Sequence, residues 1–219
     1  MDVLAFHAAE FMTLALKARD RAADARRADP TVMAEDALVS LVMAAVTTEA
    51  FINELGAYYE LRKIAGTIDP VEAACGDALA EVERSRGSTE LKYLVASLTL
   101  SGQMFNRSMQ PFQDFSTLMT VRNTLVHPKP LDRSDDSGVM VPPAYVREFE
   151  RRGMTYAREA DLSVSWLNLL ETEKVASWAC QAAVDVILSL ADMAPVVGAI
   201  ASLRRSFFEH YRPWAHRVP

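Results

Sequence analysis

Apolar residues recur at helical spacing along most of the chain. In the first segment Leu4, Phe11 and Leu14 share one helical face, and a charged stretch follows. No run alternates apolar and polar residues over a useful length, and the sequence contains no internal repeat. The pattern predicts an all-α protein with helices over about residues 2–28, 31–64, 70–85, 89–101, 111–127, a short stretch after 143, 171–193 and 195–209.

Proline and capping residues predict where these helices begin and end. Pro30 separates the first helix from the second, and Asp69-Pro70 opens the third. Ser88 is a predicted N-terminal cap for the fourth helix. Residues 128–143 hold four prolines, one glycine and five charges, so we expect them to form an exposed loop.

Length and composition are those of an ordinary globular protein. The chain has 219 residues, of which 50% are hydrophobic and 24% are charged. This is enough to build one domain with a sizeable core, so we expect residues 1–219 to form a single helical domain. The low glycine content, 8 residues, also favours helices.

The net charge of −6 argues against a general affinity for nucleic acid, because such a chain repels phosphate. A local basic patch is able to override this repulsion. The C-terminal tail offers one candidate patch, and a solvated basic terminus is the alternative reading of the same residues. The tail carries Arg204, Arg205, Arg212 and Arg217.

The sequence does not predict a signal peptide or a membrane span. The N-terminus has no basic start before an apolar run. The longest apolar stretch, residues 182–201, is interrupted by Asp185, Asp192 and Pro195. We therefore expect a cytoplasmic protein with no membrane partner.

Cys75 and Cys180 lie far apart in apolar, helix-like surroundings. Two buried thiols are the favoured interpretation over a disulfide or a metal pair. Zinc-ligand spacing is absent, so we expect no metal and no cofactor.

The candidate chemistry lies near the end of the fifth predicted helix. Asn123 and His127 are four residues apart and share a helical face, and the long side chain of Arg122 is able to curve towards them. A guanidinium holds phosphate in a fork, and a histidine exchanges protons near neutral pH. The combination suits phosphodiester transfer.

The spacing of an arginine five residues before a histidine carries little information alone, because Arg205 and His210 repeat it. The first match differs in its context. Arg122 is followed by a small amide, Asn123, and the match ends at His127-Pro128 after an apolar helix.

Glu49 falls on a predicted apolar stripe with Leu41, Ala45 and Ile52. A buried carboxylate requires a partner, and Arg122 is the predicted one. The pair either holds Arg122 for catalysis or only orients two helices. Asn53, one turn later, is a second supporting candidate, with a helix-bridging amide as the alternative.

The segment 122–127 resembles the signature of the HEPN superfamily, in which an arginine and a polar residue precede a histidine. Residues 49–55 (EAFINEL) are similar to a helix of bacterial HEPN-like proteins, and the helix around Trp178 resembles their C-terminal helix. The resemblance implies an up-and-down helical bundle with a core over about residues 31–195. An additional N-terminal helix and C-terminal helices extend it.

HEPN proteins are typically metal-independent endoribonucleases that dimerise around one shared cleft. The resemblance therefore implies an RNA substrate, a homodimer and catalytic roles for Arg122, Asn123 and His127. It also implies a toxin or anti-phage role with a cognate antitoxin. The alternative is an inactive HEPN binding or dimerisation module beside a nucleotidyltransferase or another partner. A purely structural bundle with a fortuitous motif is the third interpretation.

Overall fold

Every element in the described part of the chain is helical. The computed structural model describes residues 7–127, 142–156 and 165–193. These ranges contain no strand, which confirms the all-α prediction. They hold α1 (Ala8–Ala28), α2 (Asp36–Ile64), α3 (Pro70–Arg84), α4 (Thr89–Ser101), α5 (Phe112–Val126), α6 (Ala144–Arg151), a 3₁₀ helix (Trp166–Leu170) and α7 (Glu173–Met193).

Helices α1 and α2 pack side by side in opposite directions. The Glu54 carboxylate of α2 accepts the backbone N–H groups of His7 and Ala8 at the start of α1, at 2.6 and 3.1 Å. Arg21, towards the other end of α1, binds Asp36 at the start of α2 with an N–O distance of 2.7 Å. The two helices therefore run antiparallel.

Helix α3 returns along the second half of α2. Arg62, near the end of α2, pairs with Glu72 in the first turn of α3 at 3.1 Å. One and a half turns earlier on α2, a Cβ on Gly56 would lie 3.5 Å from the Leu79 side chain. Because these contacts run in reverse order along the two helices, α2 and α3 are also antiparallel.

A tight connection turns the chain from α3 into α4. The Gly87 N–H donates to the Val82 carbonyl at 2.8 Å, and a Cβ at Gly87 would lie only 2.5 Å from the Val82 side chain. Ser88 then accepts a backbone N–H of the first turn at 3.2 Å, as the sequence predicted. Glu83 and Lys92 pair across the turn, so α4 runs back along α3.

The start of α2 differs from the prediction, since the helix begins at Asp36 and not near residue 31. The Asp29 carboxylate holds the Thr31 N–H and hydroxyl at 2.8 and 2.6 Å, which forms a turn. The Ala34 N–H donates to the Glu171 carbonyl at 3.1 Å. These bonds compete with the first helical turn, so the helix starts later.

Three predicted features fall partly or wholly outside the described residues. They are the start of the first helix before residue 7, most of the loop at 128–143, and the helix at 195–209. Apart from the start of α2, the helix ends that the structure describes match the prediction to within about two residues.

Alanines fill the contacts among α1, α2 and α7. Small side chains let helix axes approach closely, and the Ser40 hydroxyl of α2 lies 3.4 Å from the Cys180 sulfur of α7. The fully buried alanines of these three helices are Ala8, Ala15, Ala18, Ala22, Ala37, Ala44, Ala45, Ala176, Ala179, Ala183 and Ala191.

Aromatic rings fill the space between α4 and α5. Tyr93 lies 4.7 Å from Phe115 between ring centroids, and Phe112 lies 5.5 Å from Phe115 in an edge-on arrangement. The Tyr93 hydroxyl donates to the Thr48 carbonyl of α2 at 3.1 Å, which satisfies its polar end. These contacts fix α5 against α2 and α4.

Both cysteines are buried and free, as predicted. Burial raises the pKa of each thiol to about 11, so neither carries thiolate character near neutral pH.

Two of the described helices, α2 and α7, are long and apolar enough to cross a membrane by length and composition, with mean hydropathy of 1.4 and 1.3. In this fold they are core helices, and both pack against α1 and against each other. Buried core helices pass the same test, so the feature is weak evidence for a membrane.

We expect Glu72→Ala to lower the free energy of unfolding by about 3 kcal/mol. Glu72 is fully buried, pairs with Arg62 and closes a capping box with Asp69. Urea denaturation measures the loss. Glu81→Ala is the matched control, because this α3 carboxylate is 65% exposed and pairs with Arg84 on the helix surface. Equal destabilisation by the two changes would contradict the role assigned to Glu72.

A second expectation concerns Glu54, whose pKa is raised because burial outweighs its bonds to the His7 and Ala8 N–H groups. A raised pKa means that the folded state holds the proton more tightly, so the stability from this group falls as pH rises through the acid range. Glu54→Gln keeps the acceptor oxygen and removes this titration. Relative to wild type, its melting temperature should therefore rise with pH between about pH 4 and 6.

The exposed carboxylate of Glu60, also on α2, provides the control for this titration. The slope for Glu54→Gln should exceed the slope for Glu60→Gln, because the Glu54 carboxylate is partly buried against the start of α1. Equal slopes for the two variants would contradict the burial of Glu54 in solution.

Candidate functional site

Helix α5 places the predicted catalytic residues at the edge of the bundle. Its buried face consists of Phe112, Phe115, Leu118, Met119 and Val121. That face packs on the core together with the partly buried Leu125, and the polar residues near the end of the helix lie beside this face or away from it. Arg122 is partly buried, whereas Asn123 and His127 are exposed.

The guanidinium of Arg122 is held by two neighbours. One terminal nitrogen donates to the Glu49 carboxylate at 3.1 Å, and the other donates to the Asn123 side-chain oxygen at 3.0 Å. Its Nε is buried and has no hydrogen-bond partner among the described residues. The predicted Glu49–Arg122 pair is therefore present, and it links α2 to α5.

The predicted burial of Glu49 is wrong, because its side chain is 39% exposed and that of Arg122 is 23% exposed. Glu49 lies at the rim of the buried α2 face, beside the partly exposed Val46 and the exposed Asn53. Water therefore reaches the pair and screens it, so the pair contributes less to stability than a buried one.

His127 lies one residue beyond the end of α5. Its backbone N–H donates to the Asn123 carbonyl at 3.0 Å, but its own φ and ψ of −123° and 66° are no longer helical. The ring is exposed. Arg122, Asn123 and His127 thus lie near the end of α5, the first partly buried and the other two exposed, and we call these three residues the α5 rim.

Asn53 does not join Arg122. Its side-chain oxygen accepts a hydrogen bond from the Lys92 ammonium of α4 at 2.6 Å. Asn53 and Glu49 share a face of α2, yet each contacts a different neighbouring helix. The helix-bridging alternative for Asn53 is therefore the one that the contacts favour.

Two groups near these residues were missed from the sequence. Tyr145 of α6 lies beside Thr124 of α5, and burial raises the pKa of its hydroxyl. Lys92 is a buried lysine, with a side chain only 7% exposed. A signal for Lys92 exists, because it shares a helical face with the apolar Ala96 and Leu100. Tyr145 has no such signal, since its contact depends on the packing of α6.

Metal-binding clusters are absent from the described ranges, in which no three His, Cys, Asp or Glu residues lie close enough to hold an ion.

Comparisons with known proteins gave no match to any family model, curated protein or solved structure. The HEPN resemblance accordingly stays a prediction from the residues quoted above.

We expect a double-mutant cycle between Glu49 and Arg122 to give a coupling free energy of about 0.5 to 1 kcal/mol. The partial exposure of both side chains sets this small value. The variants are Glu49→Gln, Arg122→Gln and the double change, each measured by urea denaturation. A coupling of about 3 kcal/mol or more would indicate a buried pair, and zero coupling would indicate that the contact is absent in solution.

Proposed function

We propose that this protein is a metal-independent endoribonuclease of the HEPN type that acts as a homodimer. The observation that supports the proposal is the α5 rim, in which an arginine is bonded to a carboxylate and to an exposed amide, and an exposed histidine follows five residues after the arginine. Because Asn123 and His127 are exposed, a large polymeric substrate is able to reach them.

In this mechanism Arg122 binds the scissile phosphate and stabilises the charge that develops on it. Glu49 fixes the guanidinium from the α2 side, at 3.1 Å. Asn123 contacts the same guanidinium from the solvent side and orients the phosphate or His127. An incoming phosphate oxygen would replace Asn123 as the acceptor for Arg122.

His127 is the acid or base of the reaction. A base removes the proton from the ribose 2′-hydroxyl, whose oxygen forms a bond to phosphorus. The bond from phosphorus to the 5′-oxygen breaks, and an acid gives that oxygen a proton. The products are a 2′,3′-cyclic phosphate and a free 5′-hydroxyl. Since one histidine cannot easily serve as both groups, the second comes from the other copy of the dimer.

The biological setting follows from the resemblance alone. Nucleases of this type serve as toxins or anti-phage effectors and are restrained by an antitoxin. We propose the same role for this chain, in the cytoplasm.

Two observations favour a second candidate function, the inactive HEPN module that binds another protein such as a nucleotidyltransferase. Glu49 already neutralises Arg122, and the whole chain carries a net charge of −6. Both features weaken phosphate binding. A module of this kind would use the same helices for association without cleaving RNA.

RNA cleavage in the presence of EDTA tests the nuclease proposal. We expect cleavage by the wild-type protein and a loss of about a hundredfold or more for His127→Ala, because that is the usual contribution of an acid or base. A deoxyribose at the cleaved position should block the reaction, since the attacking hydroxyl is then missing.

The matched control is His210→Ala, which removes the histidine of the other arginine–histidine match in the sequence. This change should leave cleavage intact. Cleavage that survives His127→Ala would exclude the site, and the absence of any cleavage together with capture of a protein partner would favour the binding module.

A further inference from the structure

A groove between α2 and α3 holds Asn53, the predicted site residue that contacts α4 and not Arg122. The groove has a volume of about 370 Å³, within the usual range of small-molecule pockets. Asn53 and Lys92 lie at its polar end, and Glu60 and Glu83 lie at its rim. Its apolar walls are Ile52, Gly56, Ala57, Gly76, Leu79 and Ala80.

The small wall residues are explained only in part by helix packing. A Cβ on Gly76 would lie 3.0 Å from the Tyr59 side chain, so Gly76 is required where α2 and α3 approach each other. Ala57 and Ala80 are exposed and also line the groove. Their short side chains leave the groove open.

Lys92 is the buried charge at the polar end of the groove. Its side chain is 7% exposed, and its ammonium donates to Asn53 at 2.6 Å and to Glu83. Because an ammonium only donates, the oxygen of Asn53 must face Lys92, which leaves the Asn53 amide N–H groups for another acceptor. Two sets of donors therefore converge at this end of the groove.

Glu83 occupies the place that an external acceptor would take. Its side chain is 70% exposed, in contrast to the buried Lys92. An exposed carboxylate gives up a salt bridge at little cost in free energy, because water solvates it well. A ligand that carries a carboxylate on an apolar group would make the same bond to Lys92, and its apolar group would also cover the apolar walls of the groove.

We propose that this groove binds a small monocarboxylic acid with an apolar body, whose carboxylate replaces Glu83 on the Lys92 ammonium. A ligand with an amine in place of the carboxylate is less well matched to this groove. Its partners would be Glu60 and Glu83, which are both exposed and hydrated, whereas the buried charge in the groove is positive. The site is independent of the α5 rim and of the proposed ribonuclease activity.

Amide NMR of the full-length protein, titrated with hexanoate, tests the proposal. We expect saturable shifts at Asn53, Gly56 and Gly76, and no saturable shifts with hexylamine or hexanol at equal concentration. Glu83→Gln should tighten hexanoate binding about two- to fivefold, because it removes the competing carboxylate. Lys92→Met should weaken it about tenfold or more, because it removes a charged donor.

A bulky residue in the groove tests whether hexanoate binds there. This test does not depend on whether the Lys92→Met variant folds. Ala80→Trp should abolish saturable binding of hexanoate. Ala74→Trp is the matched control, because Ala74 is also exposed on α3 but does not line the groove. Saturable hexylamine binding, no saturation with hexanoate, or hexanoate binding unchanged by Ala80→Trp would each overturn the proposal.

Discussion

The contacts of α2 with five other helices determine this structure. Its 29 residues pack against α1, α3, α4, α5 and α7, so residues close together on α2 face different neighbours. Glu49 reaches α5, Asn53 reaches α4 and Glu54 reaches the start of α1. Side chains only four or five residues apart in the sequence therefore belong to different sites.

This arrangement explains how far the sequence alone predicts the fold. Helical periodicity, Pro70 and Ser88 predict α3 and α4 to within one residue, because these signals act over a single turn. The start of α2 was predicted too early. The bond from Ala34 to Glu171 contributes to that start, and local patterns carry no information about such a distant partner.

In the candidate site, too, some features were predictable from the sequence and others were not. The pairing of Glu49 with Arg122 was predictable, because a carboxylate near an apolar face requires a cation and the fifth helix offered one. The extent of its burial was not predictable, since it depends on how far α5 covers α2. The burial of Lys92 was likewise not predictable from its residue type. Its charge made it a natural surface residue, yet the packing of α3 and α4 leaves it only 7% exposed.

The alanine contacts among α1, α2 and α7 have a consequence for how this sequence is able to diverge. A buried alanine at a close helix contact leaves no room for a larger side chain, and added methyl groups force the backbones apart. Leucines and phenylalanines elsewhere in the core exchange for one another more readily, provided that their volume is conserved. Over evolutionary time the small residues should therefore be the slowest to change, and distant relatives would share a spacing of alanines, glycines and serines more faithfully than a set of large apolar residues.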